Sequence, residues 1–220
     1  MAIARWVTSA LALVVMIPAT GLTQPNVNFK DSWFWGVKGG VISFSTATVD
    51  GRVEPVVGGE WLLTRTQGGL YVSYDQSMFD ATSAFEDTTG QSRTVTIRDL
   101  RRLTVAAMAF PLFFDAGFAS IRPYAGAGFA LNFIRSAALT GAPPTDTILE
   151  KDVNNRLEEE RDRAAPVLIL GLQFQFGRLA IFGQGTAMPA EAKFFLNGRP
   201  TVFAEAGIRF NAGSSKSRRD

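Results

Sequence analysis

Residues 121–133, IRPYAGAGFALNF, alternate without a slip. Ile121, Pro123, Ala125, Ala127, Phe129, Leu131 and Phe133 fall on one set of positions. Arg122, Tyr124, Gly126, Gly128, Ala130 and Asn132 fall on the other. Successive side chains on a strand point to opposite faces, so the stretch reads as a strand with one apolar and one mixed face. If the apolar face points inward, the chain is a soluble barrel or sandwich. If it points outward, the surrounding solvent is lipid. Alternation alone leaves both readings open.

Seven further stretches show the same period, which predicts eight strands near 33–45, 55–64, 68–79, 94–111, 120–134, 165–176, 179–188 and 200–210. In PVLILGLQFQF, Leu168, Leu170, Leu172, Phe174 and Phe176 oppose Gly171, Gln173 and Gln175. In TVFAEAGIRF, Val202, Ala204, Ala206, Ile208 and Phe210 oppose Phe203, Glu205, Gly207 and Arg209. Phe176-Gly177-Arg178-Leu179 suits a type II′ hairpin, which favours Gly first. That turn sets Phe176 opposite Leu179, Phe174 opposite Ile181, and Leu172 and Leu170 opposite Gly183 and Gly185. With an even number of strands, the short connections gather at one end. The longer ones (46–54, 80–93, 135–164 and 189–199) gather at the other.

The aromatic residues are placed unevenly. Trp33, Trp35, Trp61, Phe174, Phe176 and Phe210 all map to the short-turn end, with Phe110, Phe113 and Phe114. Such rings settle at a membrane–water boundary, so they read as an aromatic girdle. On that reading Leu168, Leu170, Leu172, Ala204 and Ile208 face lipid. The fold class predicted is all-β: an eight-stranded antiparallel up-and-down transmembrane β-barrel. Its lumen is only wide enough for side chains. Gly126, Gly128, Gly171 and Gly207 make room there for neighbours such as Tyr124 and Gln184.

Met1–Arg5 is a short basic segment, and Trp6–Ile17 is an apolar run followed by Pro18 and small residues. The run is too short for a membrane-spanning helix, and it reads as a secretory signal. The expected organisation is a cleaved signal over 1–21, a periplasmic segment over 22–31, a barrel over 32–210 and a disordered polar tail over 211–220.

The chain has neither Cys nor His, and its formal net charge is +2. A near-neutral chain gives no electrostatic case for nucleic acid. Without His or Cys there is no Ser–His–Asp site, no Cys–His site and no imidazole or thiolate metal ligand. No cofactor and no metal are implied. The lumen face carries Lys38, Glu60, Asp75, Arg98, Arg102, Arg122, Glu205 and Arg209. Carboxylates there could serve acid–base chemistry, but opposite charges in so narrow a space favour pairing with one another.

The sequence resembles the small outer-membrane β-barrel family: the OmpA membrane domain, OmpX and the opacity proteins. The resemblance rests on GVKGGV, PVVGGEW, RPYAGAGFAL and a last strand ending in Phe210, and it spans roughly residues 30–210. It implies a bacterial outer-membrane location and a partnership with the barrel-assembly machinery. It also implies contact with outer-membrane lipid and lipopolysaccharide. The chain departs from the pattern in two places. NAGSSKSRRD follows Phe210, and Glu205 stands where the assembly signal carries Gly. Segment 145–163 opens with a capping-box-like Thr147-x-x-Glu150 and carries Lys151, Arg156, Arg161 and Arg163 as candidate surface contacts. The expected role is non-enzymatic: envelope structure, or surface adhesion through loops 80–93 and 135–164. The alternatives are a secreted calycin-like barrel holding a hydrophobic ligand, and a narrow channel.

Overall fold

A computed structural model describes residues 29–46, 48, 50–86, 92–139, 151, 155, 164–189, 192–193, 196–197 and 199–214. Eight long strands build it: β1 (Ser32–Phe44), β2 (Arg52–Thr64), β3 (Gly68–Glu86), β4 (Ser92–Ala109), β5 (Ser120–Leu139), β6 (Ala164–Phe176), β7 (Leu179–Met188) and β8 (Thr201–Ser214). Each pairs antiparallel with the next, and β8 pairs with β1, so the sheet closes. Two-residue strands at Phe114–Asp115 and at Ala192–Lys193 with Leu196–Asn197 complete the pattern.

The register fixes the shape. Stepping across the ladder leads from Trp33 to Leu63, Leu70, Ala107, Ala127, Leu168, Ala187, Val202 and finally Ser43. The circuit returns to β1 ten residues above its start. With ordinary strand spacings, eight strands and this stagger give a tilt of about 41° and a backbone radius of about 8 Å. Each strand step then rises ~3 Å along the barrel axis and each residue ~2.5 Å.

The hairpin at Gly177-Arg178 adopts the expected pairing, Phe176 with Leu179 and Leu170 with Gly185. Gly177 has φ of 58° there, the left-handed value a type II′ turn demands of its first residue.

The strand ends depart from the sequence expectation. Residues 80–86, 92–93 and 135–139, expected in long loops, belong to β3, β4 and β5. A register shift between Ser77 and Asp80, with Asp99 at φ of 53°, marks where the wall continues as a projecting extension. Backbone pairing sustains that extension without an alternating apolar face, so period two does not reveal it. At the other end β8 runs to Ser214, so 211–214 belong to the barrel rather than to a tail. Residues 29–31 also join it, with Phe29 and Asp31 buried. The Thr64 hydroxyl donates to the Phe29 carbonyl, and Arg65 Nη1 lies 3.0 Å from Asp31 Oδ1. Residues 1–28, over which a signal is expected, and residues 215–220 lie outside the described residues.

Candidate functional site

The inward positions of the eight strands form three layers. At the short-turn end Phe29, Phe34, Leu62, Met108, Phe110 and Tyr124 pack together, with Phe29 and Phe110 ring centroids 4.7 Å apart. At the long-loop end Ile42, Phe44, Val56, Leu100, Val167 and Phe203 form a second apolar cluster. Between the clusters lies a charged layer.

That layer holds three cations and three carboxylates. Lys38 Nζ sits 2.9 Å from Asp75 Oδ1 and 3.0 Å from Glu205 Oε1. Arg102 donates through Nε and Nη2 to Asp75 Oδ2, at 3.0 and 2.7 Å, and its Nη2 is 3.3 Å from Glu205 Oε1. Arg209 Nε donates to Glu60 Oε1, and Arg209 Nη1 donates to Gln173 Oε1 at 2.8 Å. The Tyr71 hydroxyl joins the two halves. It donates to Glu60 Oε2 at 3.1 Å and accepts from Lys38 Nζ and Gln184 Nε2, both at 3.0 Å. One donor and two lone pairs are thereby used in full. Tyr124 donates to Gln184 Oε1 at 3.0 Å, and Gln184 Nε2 donates to Glu205 Oε2 at 3.1 Å. The guanidinium groups lie against rings, Arg102 over Phe203 at 3.4 Å and Arg209 over Phe182 at 3.8 Å.

Six of the sequence-predicted lumen residues therefore meet: Lys38, Glu60, Asp75, Arg102, Glu205 and Arg209. Two do not. Arg122 is half-buried at the short-turn mouth, its guanidinium 4.2 Å from the rings of both Phe29 and Phe113. Its position near the start of β5 sets it below the charged layer, among the rings that close the mouth. Arg98 is exposed beyond the bulge and pairs with Asp80 at 3.1 Å. Sequence reading missed the bridging roles of Tyr71 and Ser73, although both share a face with Asp75 on β3.

Opposite charges bury well here because each finds its partner within hydrogen-bond reach. The layer is buried between the two apolar clusters.

The outward face is the reverse of the lumen. Leu170 is 68% exposed, while Gln173 on the same strand is 0% exposed. Leu168, Leu172, Ala204 and Ile208 share the outward face, Ile208 half-buried among its neighbours. The soluble-barrel alternative requires the Leu face to line a cavity and Gln173 and Gln175 to meet water. The structure has both the other way round. Trp33, Trp35, Trp61, Phe174, Phe176 and Phe210 all point outward at the short-turn end. There Trp61 lies 5.9 Å from Trp33 and 6.3 Å from Trp35, ring centre to ring centre. Phe113 and Phe114 are exposed at the same end, whereas Phe110 turns inward into the aromatic plug.

Near the long-loop rim a groove of about 570 Å³ on the wall is lined by apolar residues, among them Phe129, Pro166, Leu168 and Pro200. Lys151 is helical and exposed. Arg156, Arg161 and Arg163, and the Thr147–Glu150 capping box, lie outside the described residues.

No family model matches the chain, and no curated protein is significantly similar to it in sequence. Among solved structures, the chain is similar to the crystal structure of Neisserial surface protein A. The TM-score is 0.48 at 10% sequence identity, over 81% of this chain and 96% of that one. The chain's own geometry combines eight strands, a tilt near 41°, an apolar outer band, an aromatic rim and a polar interior.

Proposed function

We propose that this chain is a non-enzymatic barrel of the bacterial outer membrane whose filled lumen does not conduct. It anchors a surface platform that serves envelope structure or surface contact through segments 80–93 and 135–164. The observation that carries the reading is the inverted partition of the wall, with leucine outward and paired charge inward. In water that arrangement exposes a continuous apolar belt, far beyond the few hundred Å² a soluble monomer usually shows. In lipid the belt is solvated, and the closed ladder satisfies every backbone group it carries across the bilayer.

The projecting part of β3, β4 and β5 supports the surface role. From Asp80 to Glu86 alone, β3 climbs about 15 Å beyond the bulge. Antiparallel pairing persists out to Glu86 and Ser92. A stiff paired extension presents a contact surface at lower entropic cost than a loose loop.

The test is gel mobility of detergent-extracted protein, unheated against boiled, together with planar-bilayer recording of the pure protein. A mobility shift without conductance steps is the expected result. Recovery as a soluble species by osmotic shock would overturn the membrane reading. Reproducible single-channel steps would overturn the filled-lumen reading.

A further inference from the structure

Among the described residues, Arg101 is the only charged side chain on the outward face of the wall below the Ser77–Asp80 bulge. Its height follows from the register. Ala107 lies three strand steps around from Trp33, and Arg101 lies six residues further up β4. That places Arg101 about 24 Å above Trp33. The apolar band of such a barrel is about 25 Å tall, so Arg101 stands at the headgroup level of the leaflet on the long-loop side.

Its neighbours suit an anion. Gln76 is its direct partner on β3 and Phe133 its direct partner on β5. Tyr74, exposed and one outward position below Gln76, is the diagonal neighbour. Arg101 Nε is buried and makes no hydrogen bond, so a donor is left without an acceptor. Three other cations near this rim have carboxylate partners: Arg52 pairs with Glu54, Arg98 with Asp80, and Arg199 with Asp50. Arg101 has no carboxylate partner among the described residues.

We infer that Arg101, with Gln76 beside it and Tyr74 and Phe133 flanking, binds a phosphate group of a phosphorylated glycolipid in the outer leaflet. The guanidinium offers a planar, bidentate fork to phosphate. The Gln76 amide supplies a further donor, and the rings sit where aromatic residues prefer to lie. The inference rests on the reading that the wall faces lipid.

The experiment refolds the full barrel into phosphatidylcholine vesicles doped with bis-phosphorylated lipid A or with the same lipid stripped of phosphate. The thermal unfolding midpoint is then read by gel mobility. The phosphorylated lipid should raise the midpoint and the stripped lipid should not. Arg101→Gln should lose at least half of that rise, and Arg101→Lys should retain more of it. Arg98→Gln, at the same rim but paired with Asp80, should keep the whole rise. Inorganic phosphate at the same molarity should have no effect. An equal rise in Arg101→Gln, or from stripped lipid, overturns the site. An equal loss in Arg98→Gln assigns the effect to diffuse rim charge and also overturns it. An equal effect of inorganic phosphate overturns the lipid as the source. Failure of the membrane reading looks different: a protein that never enters the vesicles and shows no heat-dependent mobility.

Discussion

Leu170→Arg separates a lipid-facing wall from a water-facing one by magnitude. Leu168 lies five strand steps around from Trp33, and Leu170 sits two residues lower on β6. Leu170 is therefore about 11 Å above Trp33 and about 13 Å below Arg101, close to the middle of the band. Its cross-strand partners are Ala125 and Gly185, and neither offers an acceptor to a guanidinium. In lipid, an outward Arg at mid-depth costs about 2–4 kcal/mol. That lowers the folded-to-unfolded ratio by about 30- to 700-fold. In water the outcome differs sharply, because the side chain is already 68% exposed. Surface replacements of that kind stay within about 0.5 kcal/mol of neutral. Val202→Arg is the depth control, since Val202 also points outward but lies about 22 Å above Trp33, near the rim. It should cost about 0–1 kcal/mol. The assay is reversible guanidinium unfolding from vesicles, with the folded fraction read by gel mobility. Equal and small costs at the two depths would refute the claim that lipid surrounds the wall.

In the charged layer, Glu60→Gln leaves Arg209 buried without its carboxylate and should destabilise the barrel by about 3–5 kcal/mol. Adding Arg209→Met should recover most of that loss, as a double-mutant cycle of unfolding midpoints will show. Gly171→Ala places a Cβ 2.3 Å from Tyr124 Cζ and should cost about 1–3 kcal/mol, whereas Gly183→Ala meets nothing and should be neutral by the same assay. Planar bilayers containing the native protein should show no conductance steps.

The wall was legible in the sequence because a strand with different surroundings on its two faces alternates, as 121–133 and 170–176 do. The Gly177-Arg178 hairpin was legible because a positive φ at its first position restricts the residue choice. The charged layer was half legible. Period two places Lys38, Glu60, Asp75, Arg102, Glu205 and Arg209 inward, but it gives no heights, so it grouped Arg122 and Arg98 with them. Height comes from the stagger of the barrel, which only the closed register supplies. The projecting ends of β3, β4 and β5 were illegible for a different reason. Beyond the band the apolar face that makes a strand visible is no longer required. Residues 211–214 escaped in the same way, since Asn211 and Gly213 resemble a loop until their pairing with Phe34 and Trp33 is seen.

The outward face gives a weak cue to register, because many of its apolar pairings are nearly equivalent. The interior supplies that cue. Every strand contributes a member to the central network: Lys38 from β1, Glu60 from β2, Asp75 from β3, Arg102 from β4, Tyr124 from β5, Gln173 from β6, Gln184 from β7, and Glu205 with Arg209 from β8. A one-residue slip of any strand turns its member to the outward face. A two-residue slip keeps the face but moves the member out of hydrogen-bond reach. Inward glycines reinforce the selection. Tyr124 lies directly opposite Gly171, Asp75 opposite Gly58, Phe182 opposite Gly207, and Met108 opposite Gly126. A Cβ on any of these four glycines would come within 2.8 Å of that partner's side chain. Each large side chain thus fits only where its neighbour has none. Register and closure are encoded inside the barrel, and the outward face is left to match the solvent.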